Sequence, residues 1–339
     1  AAGRPRTSDR RTAWANLDVM GSTVRPPSAT GGGVVARTTP ADRAVRWVAV
    51  VAWAALPFTL GALIADALAD AGRTAQLLDS GAAWVVWAAG LVALLVPTTV
   101  SLTVVRLVVP GAVAAALLAG AAVAARDVGA LDLVHAAGTA LAALAAVMVL
   151  SAPVGAVFVN GSAYGDERRY LLRAPSALLF GPIELAWLVV VAGALAGPLL
   201  LGAERWVAGG AALVVGWPAA VVAARAVHGL HRRWFVLVPT GTVLHDFSAV
   251  TESVMAPRRQ LAHLGPAAAD SAALDLTAGA AGLALEARFV DPIVVSPRPG
   301  RRPGTGAVVE PVDAAAILFT PTRPGRLLAE AERRRLPVG

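Results

Sequence analysis

The chain of 339 residues has no cysteine, which excludes disulfides, thiolate nucleophiles and Cys-ligated zinc or iron–sulfur centres. It has no lysine either: all 29 basic residues are arginine, which, beside the abundance of Ala, Gly, Val and Leu, points to a GC-rich genome rather than to a chemistry. Charge is scarce altogether, at 15% of residues, where soluble domains carry about 25%. What is present instead is 57% hydrophobic residues, gathered into runs long enough to cross roughly 30 Å of hydrocarbon. The expected solvent is therefore the lipid bilayer. The formal charge of +7 reads as arginine at the membrane surface, and no nucleic-acid partner is expected.

Residues 1–46 are rich in Arg, Pro, Gly, Ser and Thr, as in Arg25-Pro26-Pro27-Ser28 and Gly31-Gly32-Gly33, and read as a disordered arm. Met20 precedes an ordinary linker, so residues 1–19 are expected to lie upstream of the native start, which N-terminal peptide mass spectrometry tests. A six-helix transmembrane domain is expected over residues 47–233. Its spans run from Trp47 to Ala69, Ala82 to Val96, Leu102 to Ala125, Val134 to Val159 with a kink at Pro153, Ser176 to Gly202, and Trp206 to Val227. Trp47, Trp84, Trp206 and Trp234 stand near span ends, where amphipathic rings favour the headgroup region.

With the N-terminus inside, the inner side holds Arg37, Arg43, Arg46, Arg106, Arg168, Arg169, Arg173, Arg225, Arg232 and Arg233, ten arginines against Arg73, Arg126 and Arg205 outside. The positive-inside rule then predicts a multi-pass protein of the plasma membrane with both termini cytoplasmic.

Residues 234–339 change character and read as a small cytoplasmic antiparallel β-domain with a C-terminal helix. Trp234 to Val238, Pro239-Thr240-Gly241 and Thr242 to His245 form a hairpin signal. Leu283, Leu285, Ala287 and Phe289 alternate with Ala284, Glu286 and Arg288, the period of a half-buried strand. Ile293 to Val295 and Ala314 to Thr320 read as further strands, Ser296 to Gly306 as a loop, and Arg326 to Arg335 as a basic helix with Leu327, Leu328 and Ala331 on one face.

The stretch Tyr164-Gly165-Asp166-Glu167-Arg168-Arg169-Tyr170-Leu171-Leu172-Arg173, with Gly181-Pro182-Ile183-Glu184-Leu185-Ala186-Trp187, Arg232-Arg233-Trp234, Leu264-Gly265-Pro266 and Leu318-Phe319-Thr320-Pro321-Thr322-Arg323-Pro324-Gly325, resembles a family of uncharacterised actinobacterial membrane proteins over about residues 45–339. That resemblance implies topology and no activity. In its order of strands followed by one helix, the C-terminal domain also resembles bacterial pleckstrin-homology-like domains.

The segment between the fourth and fifth spans concentrates Asp166, Glu167, Arg168, Arg169 and Arg173 between the only two tyrosines, Tyr164 and Tyr170. Three guanidiniums beside the inner leaflet suit an anionic lipid head group; the plainer reading is an interfacial loop whose acids pair with its arginines. Glu184, about eight residues into the fifth span, is an ionisable group at depth, with Arg106 or Arg173 as its expected partner. A structural interhelical ion pair or a neutral acid is an equal reading. His228 and His231, at i and i+3, lack the third ligand of a zinc site, and no metal or cofactor is expected. Asn160-Gly161-Ser162 matches a glycosylation acceptor but falls on the inner side. No acid, base and nucleophile set emerges, so the expectation is a non-enzymatic anchor or adaptor presenting its β-domain to a protein partner or a lipid surface. The alternative is a small transporter or lipid-handling protein using Glu184 and the arginine loop.

Overall fold

The computed structural model describes residues 38–298 and 310–339. Most of the expected N-terminal arm, including residues 1–19, lies outside them, as do the Gly31-Gly32-Gly33 run and much of the Ser296 to Gly306 loop.

Among the described residues, six helical segments are long and apolar enough to cross a membrane. The first is α1 (Pro40–Ala54), a one-turn 3₁₀ segment at Leu56–Phe58, and α2 (Leu60–Ala67). It starts seven residues before the expected Trp47 because Thr39 and Asp42 form a capping box: the Thr39 hydroxyl accepts from the Asp42 N–H at 3.2 Å and the Asp42 carboxylate from the Thr39 N–H at 3.4 Å. Pro40 fits the first helical position, where its missing N–H costs nothing. The interruption falls at Pro57, which cannot donate into a continuous ladder.

The second span, α3 (Arg73–Leu95), begins nine residues earlier than Ala82, its first two turns being too polar to register as an apolar run. The third, α4 (Thr99–Arg126), starts at Thr98, whose hydroxyl accepts from the Ser101 N–H at 3.0 Å. The fourth is α5 (Leu133–Leu150) followed by α6 (Ala152–Gly161), a break at Ser151 where a kink at Pro153 was expected. The fifth is α7 (Ser176–Leu179), a single turn, with α8 (Pro182–Gly202), and the sixth is α9 (Trp206–Leu230). These last two pack closely, since a Cβ on Gly193 would lie 2.4 Å from the Gly216 carbonyl oxygen.

The β-domain has two four-stranded sheets. The first, in the order β1-β2-β3-β4, is antiparallel throughout and comprises β1 (Arg168–Leu171), β2 (Trp234–Val238), β3 (Gly241–His245) and β4 (Val254–Pro257). The second holds β5 (Leu261–Pro266), β6 (Leu274–Asp275), β7 (Leu285–Val295) and β8 (Val312–Phe319) in the order β5-β7-β8-β6. Ile293 to Val295, expected as a separate strand, is the far half of β7. Phe235 of β2 stacks on Phe319 of β8 at 4.2 Å between centroids, so the two sheets share one core. The helix α10 (Pro324–Arg333) adds Leu327 and Ala331 to it.

The chief departure from expectation is β1. The residues expected as a loop between the fourth and fifth spans form the edge strand of the first sheet, paired with β2 from Arg168 opposite Leu237 to Leu171 opposite Trp234. The β-domain is therefore not residues 234–339 alone. The same pairing puts the segment after the fourth span and the segment after the sixth on one side of the membrane. An ion pair between Asp42 and Arg323 at 2.9 Å places the start of the first span there too, which agrees with alternate crossings by six spans.

Candidate functional site at the junction of bundle and β-domain

The strand β1 is held from three directions. Behind it, Asn160 at the end of α6 donates to the Arg169 carbonyl and accepts from the Arg169 N–H, both at 2.9 Å, so the buried amide hands the helix over to the strand. At its far end the Leu172 N–H donates to the Arg233 carbonyl, the Arg173 N–H to the Thr320 carbonyl, and the Thr322 N–H to the Leu171 carbonyl. Leu171 itself enters the core of the bundle, Leu172 that of the β-domain.

Two arginines of the suspected lipid-binding loop, Arg168 and Arg169, have side-chain partners within the protein. Arg168 is buried, and its Nε lies 4.0 Å from Glu330 of α10. Glu330 also holds Arg333, and Arg334 at 2.8 Å. Arg169 pairs with Glu167 at 2.7 Å and lies 5.1 Å above the ring of Trp234. Asp166 is exposed, its carbonyl accepting from Arg334. Arg173 is exposed with its guanidinium beside Gly282, and its carbonyl accepts from Arg233. Between these charges Tyr170 has its hydroxyl pKa raised, first by burial and then by the Glu330 carboxylate. The arrangement is a brace: the arginines fasten β1 to α10 and β2, and only Arg173 presents its charge freely to solvent.

Glu184 caps its own helix. The fifth span runs over Ser176–Gly202, as expected, with Gly181 at φ 115° separating the turn α7 from α8, which begins at Pro182. Glu184 is therefore in the first turn of α8, exposed, and accepts from the Gly181 N–H at 2.8 Å. It reaches neither Arg106 nor Arg173, and carboxylates are favoured at that position by the helix dipole.

Two groupings were not assembled from sequence, although His228, His231 and Arg106 were each noted there. The buried pair Arg233–Asp246 is bidentate, Nε to Oδ1 and Nη2 to Oδ2 both at 2.8 Å. Burial alone would raise the Asp246 pKa, but the Arg233 bonds, with Ser248 donating at 2.6 Å, hold it below the usual carboxylate range. Reading the hairpin one step outward would have found this pair: Trp234 faces His245, so Arg233 and Asp246 close the open end of the same hairpin.

The other group lies where α4, α6 and α9 meet. The Thr103 hydroxyl contacts Nδ1 of His228 at 2.8 Å and of His231 at 3.0 Å. One hydroxyl has one proton, so at least one imidazole donates from Nδ1 and keeps an unprotonated Nε2. His231 is neutral: burial first, then Arg106 and His228, lower its pKa to about 3. One turn along α4, Arg106 Nε donates to the Val149 carbonyl at 3.2 Å, an acceptor released by the break at Ser151. Among the described residues no cluster of three or more His, Asp or Glu is arranged to hold a metal ion.

On the opposite face of the bundle, Arg126 pairs with Asp70 at 2.6 Å, and the buried His135 stands between Asp66 at 3.1 Å and Asp132 at 3.4 Å. These contacts tie the end of the first span to the end of the third and the start of the fourth.

Fold and junction together define a multi-pass membrane protein with a β-domain braced against one face of its bundle. Comparison with protein families, with functionally described proteins and with solved structures finds no match.

Proposed function

We propose that this protein is a non-enzymatic anchor that presents its β-domain, in a fixed orientation at the cytoplasmic face of the plasma membrane, to a protein partner. The observation that carries this reading is β1: a strand between two spans is built into the sheet, so the domain cannot swing as a tethered module. Fixed orientation suits a docking platform, because rigid presentation lowers the ordering cost of association. The cytoplasmic side is supported by the nine described arginines flanking the spans on the β-domain side, from Arg43 to Arg233, against three on the other.

The resemblance of the domain to pleckstrin-homology-like domains is supported by its two sheets and terminal helix, while the strand taken from between two spans departs from it. The alternative of a transporter or lipid-handling protein working through Glu184, Arg168, Arg169 and Arg173 has less support, since Glu184 caps its own helix and Arg168 and Arg169 are braced internally. The test is purification of the native protein in mild detergent, with the eluate divided for protein and lipid mass spectrometry. A specific protein at constant stoichiometry supports the anchor; a bound solute or lipid with no protein partner overturns it.

A further inference from the structure

The pair α5 and α6 and the pair α8 and α9 both pack on α4, yet the two pairs share no packed face with each other. The gap bares a stripe of α4 at helical spacing: Arg106, Pro110, Val113 and Leu117. Its two banks are fixed by contacts already described, Arg106 to the Val149 carbonyl on the α5–α6 side and Thr103 to His228 and His231 on the α9 side. Leu117 is 63% exposed, and the other three are half-buried.

The end of this crevice nearest the β-domain is cationic. Arg106 uses one N–H on Val149 and has no carboxylate within ion-pair distance among the described residues. Gly155 of α6 leaves it space, since a Cβ there would come within 3.0 Å of Nη2. A guanidinium inside a span needs acceptors, and helix-capping at one carbonyl satisfies only part of its donor fork. A soluble anion would answer the charge but not the apolar track of Pro110, Val113 and Leu117 leading away from it. An amphiphile answers both, with an anionic phosphate at the guanidinium and hydrocarbon along the stripe.

We propose that this crevice is a binding site for one anionic phospholipid of the leaflet on the β-domain side. Its phosphate is held by Arg106 and one acyl chain lies along Pro110, Val113 and Leu117. The site is distinct from the arginines of β1, and it stands whether or not the β-domain receives a protein partner.

The test uses the full chain in mixed micelles of phosphatidylglycerol and phosphatidylcholine with identical acyl chains, read by native mass spectrometry. The unaltered protein is expected to retain one phosphatidylglycerol in preference to phosphatidylcholine. Arg106→Gln should reduce that retention roughly tenfold or more, as loss of a charge-assisted contact implies. Val113→Trp, which keeps the charge and fills the track, should reduce it as well, and it decides the matter if Arg106→Gln fails to fold. Undiminished retention in Val113→Trp, or in a folded Arg106→Gln, overturns the proposal. So does displacement of the lipid by millimolar inorganic phosphate, which would mark a site for free anions.

Discussion

Arg323, at the N-terminal end of α10, reaches Asp42 in the first turn of α1, Nη1 to Oδ1 at 2.9 Å, and both side chains are largely buried. The bond joins the last helix of the β-domain to the first span of the bundle, across nearly the whole length of the chain. Together with β1 it makes the domain and the bundle one body.

Removing one member of that pair strands the other. Arg323→Ala is expected to destabilise the protein by about 1–3 kcal/mol, less than for a fully buried pair because Arg323 keeps some contact with water. Asp42→Asn combined with Arg323→Gln should cost less than the sum of the single changes. A double-mutant cycle on thermal unfolding in detergent checks the coupling.

The Arg233–Asp246 pair is more deeply buried, at 1% and 0% side-chain exposure, and should matter more. Arg233→Ala leaves a buried carboxylate and frees the Arg173 carbonyl, for an expected loss of about 3–5 kcal/mol. Arg233→Lys should recover little, because an ammonium cannot reproduce the two parallel bonds. Limited proteolysis between β2 and β3 measures the loosening.

Stability should fall as pH is lowered. The His231 pKa is about 3 in the folded protein, against about 6.5 unfolded, so below pH 6.5 the unfolded chain takes up a proton that the native one refuses. Native stability is full above pH 6.5 and declines toward pH 3 by up to ~1.4 kcal/mol per unit from this group. Asp246 adds the same sign at lower pH: its folded pKa is depressed, so its contribution is present above about pH 4 and lost below. His231→Gln should flatten the upper part of the profile, measured by unfolding midpoints between pH 5 and 8.

Glu184→Gln should change stability by less than about 0.5 kcal/mol, since an amide oxygen still caps the Gly181 N–H. A large loss would restore to Glu184 a role beyond its own helix. The readout is the unfolding midpoint of the purified variant.

The six spans were legible because apolar runs declare themselves, and the β2–β3 hairpin because Pro239-Thr240-Gly241 punctuates two apolar segments. Helix starts were less so: the Thr39–Asp42 box precedes the apolar run of α1, and Gly181-Pro182 reads equally as a mid-span kink or as a beginning. The strand β1 was hidden for a different reason. Arg168-Arg169-Tyr170-Leu171 has a strand conformation only because β2, more than sixty residues later, offers it an edge, and a charged segment between two spans otherwise reads as interface. Arg106 was read only as an inner-side arginine and a partner for Glu184, since the carbonyl it caps appears only when the helix breaks at Ser151.

Hydrogen exchange of the intact protein, followed through peptides covering residues 166–173, tests the fixed β-domain most directly. The pairing of β1 with β2 implies amides at Arg168, Tyr170 and Leu172 exchanging as slowly as those of β2, and an Arg169 amide held by Asn160, with protection lost in Asn160→Ala, which removes the clamp behind the strand. Rapid exchange of this segment while β2 and β3 stay protected would contradict the account, leaving a mobile loop and a β-domain tethered only by the end of α9.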